Sequence, residues 1–267
     1  MMANPAGSFI WYELMTDDVE SAARFYAQVV GWKISGGVAK SASGQDYRMI
    51  SRDDGGHVGG VLPISADMAK NDAKPAWLGY LYTPDVDAAA AAIKADGGAV
   101  HMGPLDLPVG RIAMVSDPTG APFYIMKPIP PAGKKDAKSD VFDPKAVQRV
   151  GWNELSTTDL ERAKAFYAKH FGFRFEREMD MGKQGPYCFI EHAGQTIGAM
   201  MRRPEPGASR WSFAFRTKGT IGAARRSIES GGGKVLLPPH EVPGGDCIVI
   251  CNDPQGARAI FIGTPGD

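Results

Sequence analysis

The chain has 267 residues, 30 Lys and Arg against 30 Asp and Glu, and 43% hydrophobic with 22% charged positions. That is the composition of a folded globular protein with zero formal net charge; it excludes a disordered chain and, with no basic face to meet phosphates, makes nucleic acid an unexpected partner. No apolar run approaches the ~18 residues a membrane-spanning helix needs, Met1-Met2-Ala3-Asn4-Pro5 lacks the regions of a signal peptide, and three cysteines cannot all pair, so a reduced, cytoplasmic protein without a membrane partner is expected.

Ser8 to Met15 alternates and is rich in aromatics, which predicts a strand with Trp11 and Glu13 on one face and Tyr12 and Leu14 on the other. Asp17 then offers an N-cap with Glu20 three residues on, a capping-box pattern that Thr158 and Glu161 repeat. In the helix that follows, Val19, Ala22, Ala23, Tyr26, Val29 and Val30 form one apolar stripe, and Gly31 suits the left-handed residue after the last turn. Three strands are predicted near Trp32 to Ser35, Asp46 to Arg52 and His57 to Pro63, separated by Gly-rich and Ser-rich turns.

Trp77 to Tyr82 is again a strand, and Thr83-Pro84-Asp85-Val86-Asp87 opens an alanine-rich helix that stops at Gly97-Gly98. This repeats Thr16-Asp17-Asp18-Val19-Glu20 at a distance of 67 residues, so the first half consists of two similar modules. Strands near Ala99 to Met102, Gly110 to Ser116 and Pro122 to Lys127 complete it, with Asp117-Pro118-Thr119-Gly120 as the turn before the last.

The whole pattern then returns. Trp11 to Trp152, Asp18 to Asp159, Phe25 to Phe166 and Gly31 to Gly172 are each 141 residues apart, whereas Trp77 to Trp211 is 134 and the turn Asp253-Pro254-Gln255-Gly256 follows its counterpart by 136. Core elements are kept while loops vary. The proline-rich stretch from Pro128 and the mixed charges of Lys134 to Asp140 read as an extended, solvated linker, giving domains at 1–130 and 148–267 with a linker at 131–147.

Strand-helix-three-strand modules, Phe-Tyr followed by Gly-Trp or Gly-Phe, and an Asp-Pro-x-Gly turn before each half's last strand resemble the vicinal oxygen chelate superfamily of glyoxalases, bleomycin-resistance proteins and extradiol dioxygenases. With Trp-x-Glu-Leu opening both halves, the chain is most similar to the tandem glyoxalase-like subgroup typified by the mycobacterial antigen Cfp30B. The resemblance implies an α+β fold of four βαβββ modules, forming two tandem domains whose cup-shaped mixed sheets carry helices outside and face Trp11 and Glu13 inward. It also implies three or four metal-ligand positions per cup. Counted from the motifs, three of these fall at Trp11, Gly79 and Tyr124 in the first half and at Trp152, Phe213 and Ile260 in the second, and none is a ligand for a divalent metal. The fourth position, near Val58 to Val61 and Ile197 to Met200, also lacks His or Glu. No metal or other cofactor is therefore expected, with zinc, nickel or iron as the alternative.

Glu13 and Glu154 are candidate general bases, since a carboxylate on a partly buried aromatic face has a raised pKa if it lacks a cationic partner; the competing reading is a structural carboxylate inherited by duplication. Trp11, Trp77, Tyr124, Trp152, Tyr187 and Trp211 are candidates for the aromatic walls of a ligand site or, equally, for core. His57, His101, His170, His192 and His240 show no metal spacing and read as surface or turn residues. Gly55-Gly56-His57-Val58-Gly59-Gly60 is not a phosphate loop, because a strand follows it. Cys247 and Cys251 share a strand face roughly 13 Å apart, too far for a disulfide; all three cysteines read as buried thiols, with Cys247 a candidate for lining a pocket. The function expected is binding of a small apolar or aromatic molecule in one or both cups. The alternative is an enzyme of the glyoxalase (lactoylglutathione lyase), isomerase or dioxygenase kind using Glu13 or Glu154. A monomer with internally paired domains and a homodimer both remain open.

Overall fold

A computed structural model describes residues 4–34, 39–40, 46–130, 132–133, 137–203 and 206–267. The first half runs β1 (Phe9–Thr16), α1 (Val19–Val30), β2 (Lys33–Ile34), β3 (Ala39–Lys40), β4 (Asp46–Ser51), β5 (His57–Pro63), α2 (Ala66–Lys70), β6 (Ala76–Tyr82), α3 (Val86–Ala95), β7 (Ala99–Leu107), β8 (Gly110–Ser116) and β9 (Pro122–Pro128). The second runs β10 (Val150–Thr157), α4 (Leu160–Phe171), β11 (Glu178–Asp180), β12 (Pro186–His192), β13 (Gln195–Arg202), β14 (Arg210–Thr220), α5 (Ile221–Ser230), β15 (Lys234–Glu241), β16 (Cys247–Asn252) and β17 (Arg258–Thr264). Apart from the short α2 and the two-residue β3, every element had been expected from the sequence pattern.

The strands form two mixed sheets, ordered β2-β4-β5-β1-β6-β9-β8-β7, with β3 beside β4, and β11-β12-β13-β10-β14-β17-β16-β15. The orders correspond position by position, as duplication requires. Parallel pairs occur where a helix connects the strands, as in β1 with β5 and β10 with β13, and hairpin neighbours are antiparallel. These are the four βαβββ modules of an α+β fold.

The helix starts correct the expected caps by one residue. Asp18 and Asp159, not Asp17 and Thr158, cap α1 and α4, accepting from the amides of Ser21 at 2.9 Å and Arg162 at 3.1 Å. Glu20 and Glu161 do not close a capping box. Their carboxylates meet cations instead, Arg48 at 2.7 Å and Lys164 at 3.0 Å. Asp85 caps α3 in the same way. At the other ends Gly31 and Gly172 take the left-handed conformation, at φ 81° and 67°.

By contacts the chain divides into two compact units, each drawing on both halves of the sequence. One comprises Met1–Trp11, Leu78–Asp140 and Trp152–Trp211; the other comprises Tyr12–Trp77, Val141–Gly151 and Ser212–Asp267. In the second of these, α1 buries Ala22, Phe25, Tyr26, Val29 and Val30. Phe25 lies outside the expected stripe. It is buried because Gly231 and Gly233 leave room for it: a β-carbon there would stand 3.1 and 2.8 Å from its ring. Tyr26 packs among Trp32, Trp77, Phe215 and Phe261 with centroids 5.3 to 6.4 Å away. Its hydroxyl accepts from Trp77 Nε1 at 2.7 Å and donates to Asp253 Oδ2 at 3.0 Å.

The other unit repeats this core. Tyr167 of α4 accepts from Trp211 Nε1 at 2.8 Å, packs on Phe123 at 5.7 Å, and has Asp117 beside its hydroxyl. Each aspartate also closes its own Asp-Pro-x-Gly turn, Asp253 accepting from the Ala257 amide at 2.8 Å and Asp117 from the Thr119 amide at 2.7 Å.

Of the expected linker, residues 131 and 134–136 lie outside the described residues. The rest is tied down: Ser139 donates to the Ile10 carbonyl at 2.7 Å, and Gln148, only 3% exposed, binds the Gly31 carbonyl at 2.7 Å and the Asp53 amide at 2.9 Å.

Replacing Tyr26 by Phe leaves the Trp77 N–H and the Asp253 carboxylate each short of a buried partner, so Tyr26→Phe is expected to cost about 2–4 kcal/mol in urea unfolding. A loss below about 1 kcal/mol would show that the relay does not support the core. Burial, and then the neighbouring aspartates, hold the Tyr26 and Tyr167 hydroxyls well above the ordinary value of 10.0. The folded protein thus keeps phenol protons that the unfolded chain loses; this stabilisation is complete below pH 10.0 and is lost as pH rises through the raised folded values. The stability of the native chain should therefore fall more steeply above pH 10.0 than that of a Tyr26→Phe, Tyr167→Phe double variant, read from unfolding curves at matched ionic strength.

Candidate functional site

Strand alternation sends successive side chains to opposite faces of each sheet, and the helices cover one face only. On β4 the residues facing α1 include Arg48, which pairs with Glu20 of that helix. Register places Leu14 and Val61 with Arg48, and Tyr12 and Gly59 with Ile50, so these share the helix side. Trp11 and Glu13 point the other way, as expected.

The helix-free face of the third module carries the most developed arrangement. Glu154 on β10 is paired across Ala199 of β13 with Phe189 of β12, and Tyr187 is paired with Met201. Trp152 Nε1 donates to the Tyr187 hydroxyl at 2.9 Å, and that hydroxyl donates to Glu154 Oε2 at 2.9 Å. Phe189 completes the set, edge-on to Trp152 at 6.1 Å and to Tyr187 at 5.8 Å. Trp152, Glu154, Tyr187 and Phe189 are all half-buried. The Arg177 guanidinium lies 4.9 Å over the Phe189 ring, held by Glu191 at 2.6 Å and Thr196 at 2.7 Å. Burial, and then the Glu154 charge, push the Tyr187 pKa well above 10.0, so the phenol remains a neutral donor.

The first module has the corresponding residues in a different arrangement. Glu13, 2% exposed, is paired with Gly60 of β5 and through it with Met49 of β4. Tyr47 lies over Gly60: a β-carbon there would overlap its hydroxyl and Cζ and stand 2.5 Å from Cε1.

The remaining aromatics fall in two groups. Tyr124 stacks on Tyr80, centroids 4.3 Å apart and planes at 18°, with Tyr124 5% and Tyr80 6% exposed. Trp77 and Trp211, 4% and 5% exposed, lie on the helix side with their N–H groups bound to Tyr26 and Tyr167. The sequence had not singled out Tyr47, Tyr80, Phe189 or Arg177. Tyr47 precedes Tyr187 by 140 residues, one short of the repeat spacing, and Phe189 is its next same-face neighbour; both signals were available.

Register also corrects the motif count for metal positions. Tyr80 is paired with Tyr124 and Ala214 with Ile260, so Gly79 and Phe213 lie on the helix side, one residue from the intended face. Counting from turns carries no register, and a single slip reverses the face. The residues that do share the faces, Tyr80 and Ala214, bring no better ligands, and among the described residues no three His, Cys, Asp or Glu side chains group together. The donor set does not fit a divalent metal, which needs several N, O or S ligands.

His57 and His240 are exposed, but His192 is 7% exposed near Ser8, correcting the expectation of a surface residue; burial lowers its pKa. His170 contacts Asp96 at 2.7 Å and His101 contacts Ser116 at 2.9 Å. All three cysteines are buried and unbridged, and Cys247 and Cys251 share the side of β16 that pairs with Gly263 and Ala259, the same side as Phe261.

Known proteins share this architecture. The profile of the Glyoxalase/Bleomycin resistance protein/Dioxygenase superfamily matches residues 8–125 and 149–261. A protein of Mycobacterium tuberculosis (strain CDC 1551 / Oshkosh), provisionally named glyoxylase CFP32, is 39% identical over 249 residues, covering 92% of this chain and 91% of its own. The anthracycline biosynthesis protein DauV of Streptomyces sp. (strain C5) is 29% identical over 265 residues, covering 94% and 91%. The Mn(II)-bound glyoxalase from Novosphingobium aromaticivorans superposes with a TM-score of 0.63 at 17% identity, covering 98% of this chain and 83% of that one, a likeness of fold. With both halves matched and each sheet built from two βαβββ modules, the chain belongs to the glyoxalase/bleomycin resistance protein/dioxygenase superfamily.

Proposed function

We propose that the protein binds a small aromatic or apolar molecule against the helix-free face carrying Trp152, Tyr187 and Phe189, with Glu154 as its polar anchor and no resident divalent metal. The observation that carries this reading is the Trp152–Tyr187–Glu154 hydrogen-bond chain on a half-buried face. Aromatic rings filling a core lose their contact with water; these retain part of it, and their polar atoms are committed to fixing ring orientation. Such a preset platform lowers the ordering cost of binding. A ring that stacks there gains dispersion and apolar burial, and a ligand donor or hydroxyl meets the Glu154 and Tyr187 end. The relative named for anthracycline biosynthesis favours the same ligand class, since anthracyclines are fused aromatic systems.

A proton-transfer enzyme is the second reading, favoured by one observation: Glu154 is bonded to a phenol that burial keeps protonated. A carboxylate beside a neutral donor is equipped to take a proton from carbon or oxygen while the phenol steadies the resulting charge. Glu13 is its counterpart in the first half. Relatives and structural neighbours carry glyoxylase and glyoxalase names.

A thermal-shift screen over aromatic metabolites and antibiotics is expected to yield ligands that raise Tm in the native chain. Trp152→Ala should weaken any such ligand by about 10- to 100-fold, roughly 1.4–2.8 kcal/mol, by calorimetry. Undiminished affinity would remove Trp152 from the site, and no hit across a broad library would sink the binding reading. Glu154→Gln separates the two readings: it should change affinity by less than about 10-fold in a binding protein, but lower the rate by about 100-fold or more if Glu154 is a base. Elemental analysis of protein purified without chelator should find well under one equivalent of zinc, nickel, iron or manganese per chain. A full equivalent would overturn the metal-free reading.

A further inference from the structure

Two adjacent glycines of β5 and their counterparts on β13 behave differently. Gly59 is paired with Tyr12, and Gly198 with Asn153. A β-carbon at either would collide with the paired residue's backbone carbonyl, so both halves need glycine there for strand approach. The next position is not bound in this way. It is Gly60 beside Glu13 in the first half and Ala199 beside Glu154 in the second.

What occupies the space over Gly60 is the phenol end of Tyr47. Over Ala199 the β-carbon denies a tyrosine that position, and Tyr187 is carried to Trp152 and Glu154 instead. Two further differences accompany this one. Glu13 is buried whereas Glu154 is half-buried, and Met49 stands where Phe189 stands in the second half. In the first half an aromatic ring of the protein itself thus lies flat against the strand beside the glutamate, in the space where a planar ligand would stack.

We infer that Tyr47 is a built-in plug: it closes the helix-free face of the first module, whereas that of the third is open, so the native chain takes one aromatic ligand rather than two. This rests on the binding reading above and adds which copy works and what silences the other. The plug is removable. The atoms that a β-carbon at residue 60 would displace belong to the far end of a rotatable side chain, and Gly60 is not at positive φ, so alanine there should swing the phenol out without disturbing the strand.

The test counts equivalents of a neutral aromatic probe, N-phenyl-1-naphthylamine, bound by the full chain and by Gly60→Ala and Tyr47→Ala variants, with circular dichroism confirming the fold. The native chain should bind one equivalent and each variant two, the added one surviving Trp152→Ala. An unchanged count in folded Tyr47→Ala protein overturns the plug, and Tyr47→Ala decides if Gly60→Ala fails to fold. Two equivalents in the native chain would overturn it as well. If the native chain binds no probe, the binding reading of the third module fails, yet the equivalent gained or not gained on removing Tyr47 still decides this inference.

Discussion

A tyrosine hydroxyl with no access to water must find its partners inside, and two such hydroxyls hold this molecule together. Tyr26 of α1 stands between Trp77 and Asp253, and Tyr167 of α4 stands beside Trp211 and Asp117. In each case the helix comes from one half of the sequence and the aspartate turn from the other. The desolvation that forces these bonds also makes them selective, since an unmet donor or acceptor at this depth costs as much as several methylene groups contribute on burial. Each compact unit consequently needs segments of both halves, and the sequence midpoint is not a boundary between packed bodies.

That arrangement directs the chemistry to the opposite faces. The helix side of each sheet is occupied by Tyr26, Phe215 and Phe261 or by Tyr167 and Phe123, and it absorbs Trp77 and Trp211 with their polar atoms already committed. Only the helix-free faces retain half-exposed rings near a carboxylate. Burial thus separates two sets of tryptophan that look alike in sequence: one is structural because its N–H binds a buried tyrosine, the other holds Tyr187 in place beside Glu154.

The sequence made the four modules legible because each signal was local: alternation on β1, the helical stripe of α1, and the left-handed glycines at 31 and 172. It also exposed the two ends of each relay, as Phe-Tyr on one side and Asp-Pro-x-Gly on the other, without revealing that they meet, because 227 residues separate Tyr26 from Asp253. Whatever depended on register was lost. Gly79 and Phe213 were assigned to the wrong face by one residue, and the helix caps moved from Asp17 and Thr158 to their neighbours because Glu20 and Glu161 found cations elsewhere. Tyr47 escaped notice because its loop is one residue longer than the repeat allows for, which broke the fixed spacing that had disclosed everything else.

Duplication gives two copies of each surface but constrains them unequally. Where a side chain meets backbone, as at Gly59 and Gly198, neither copy can change without moving a strand, and both keep glycine. Where it meets only another side chain, as at Gly60 and Ala199, a single methyl group redirects a tyrosine, and the two faces part company while the fold beneath them stays the same. Divergence between copies is therefore to be sought at positions whose neighbours can rotate away. In this chain the first such position lies directly beside the paired glutamate of each half.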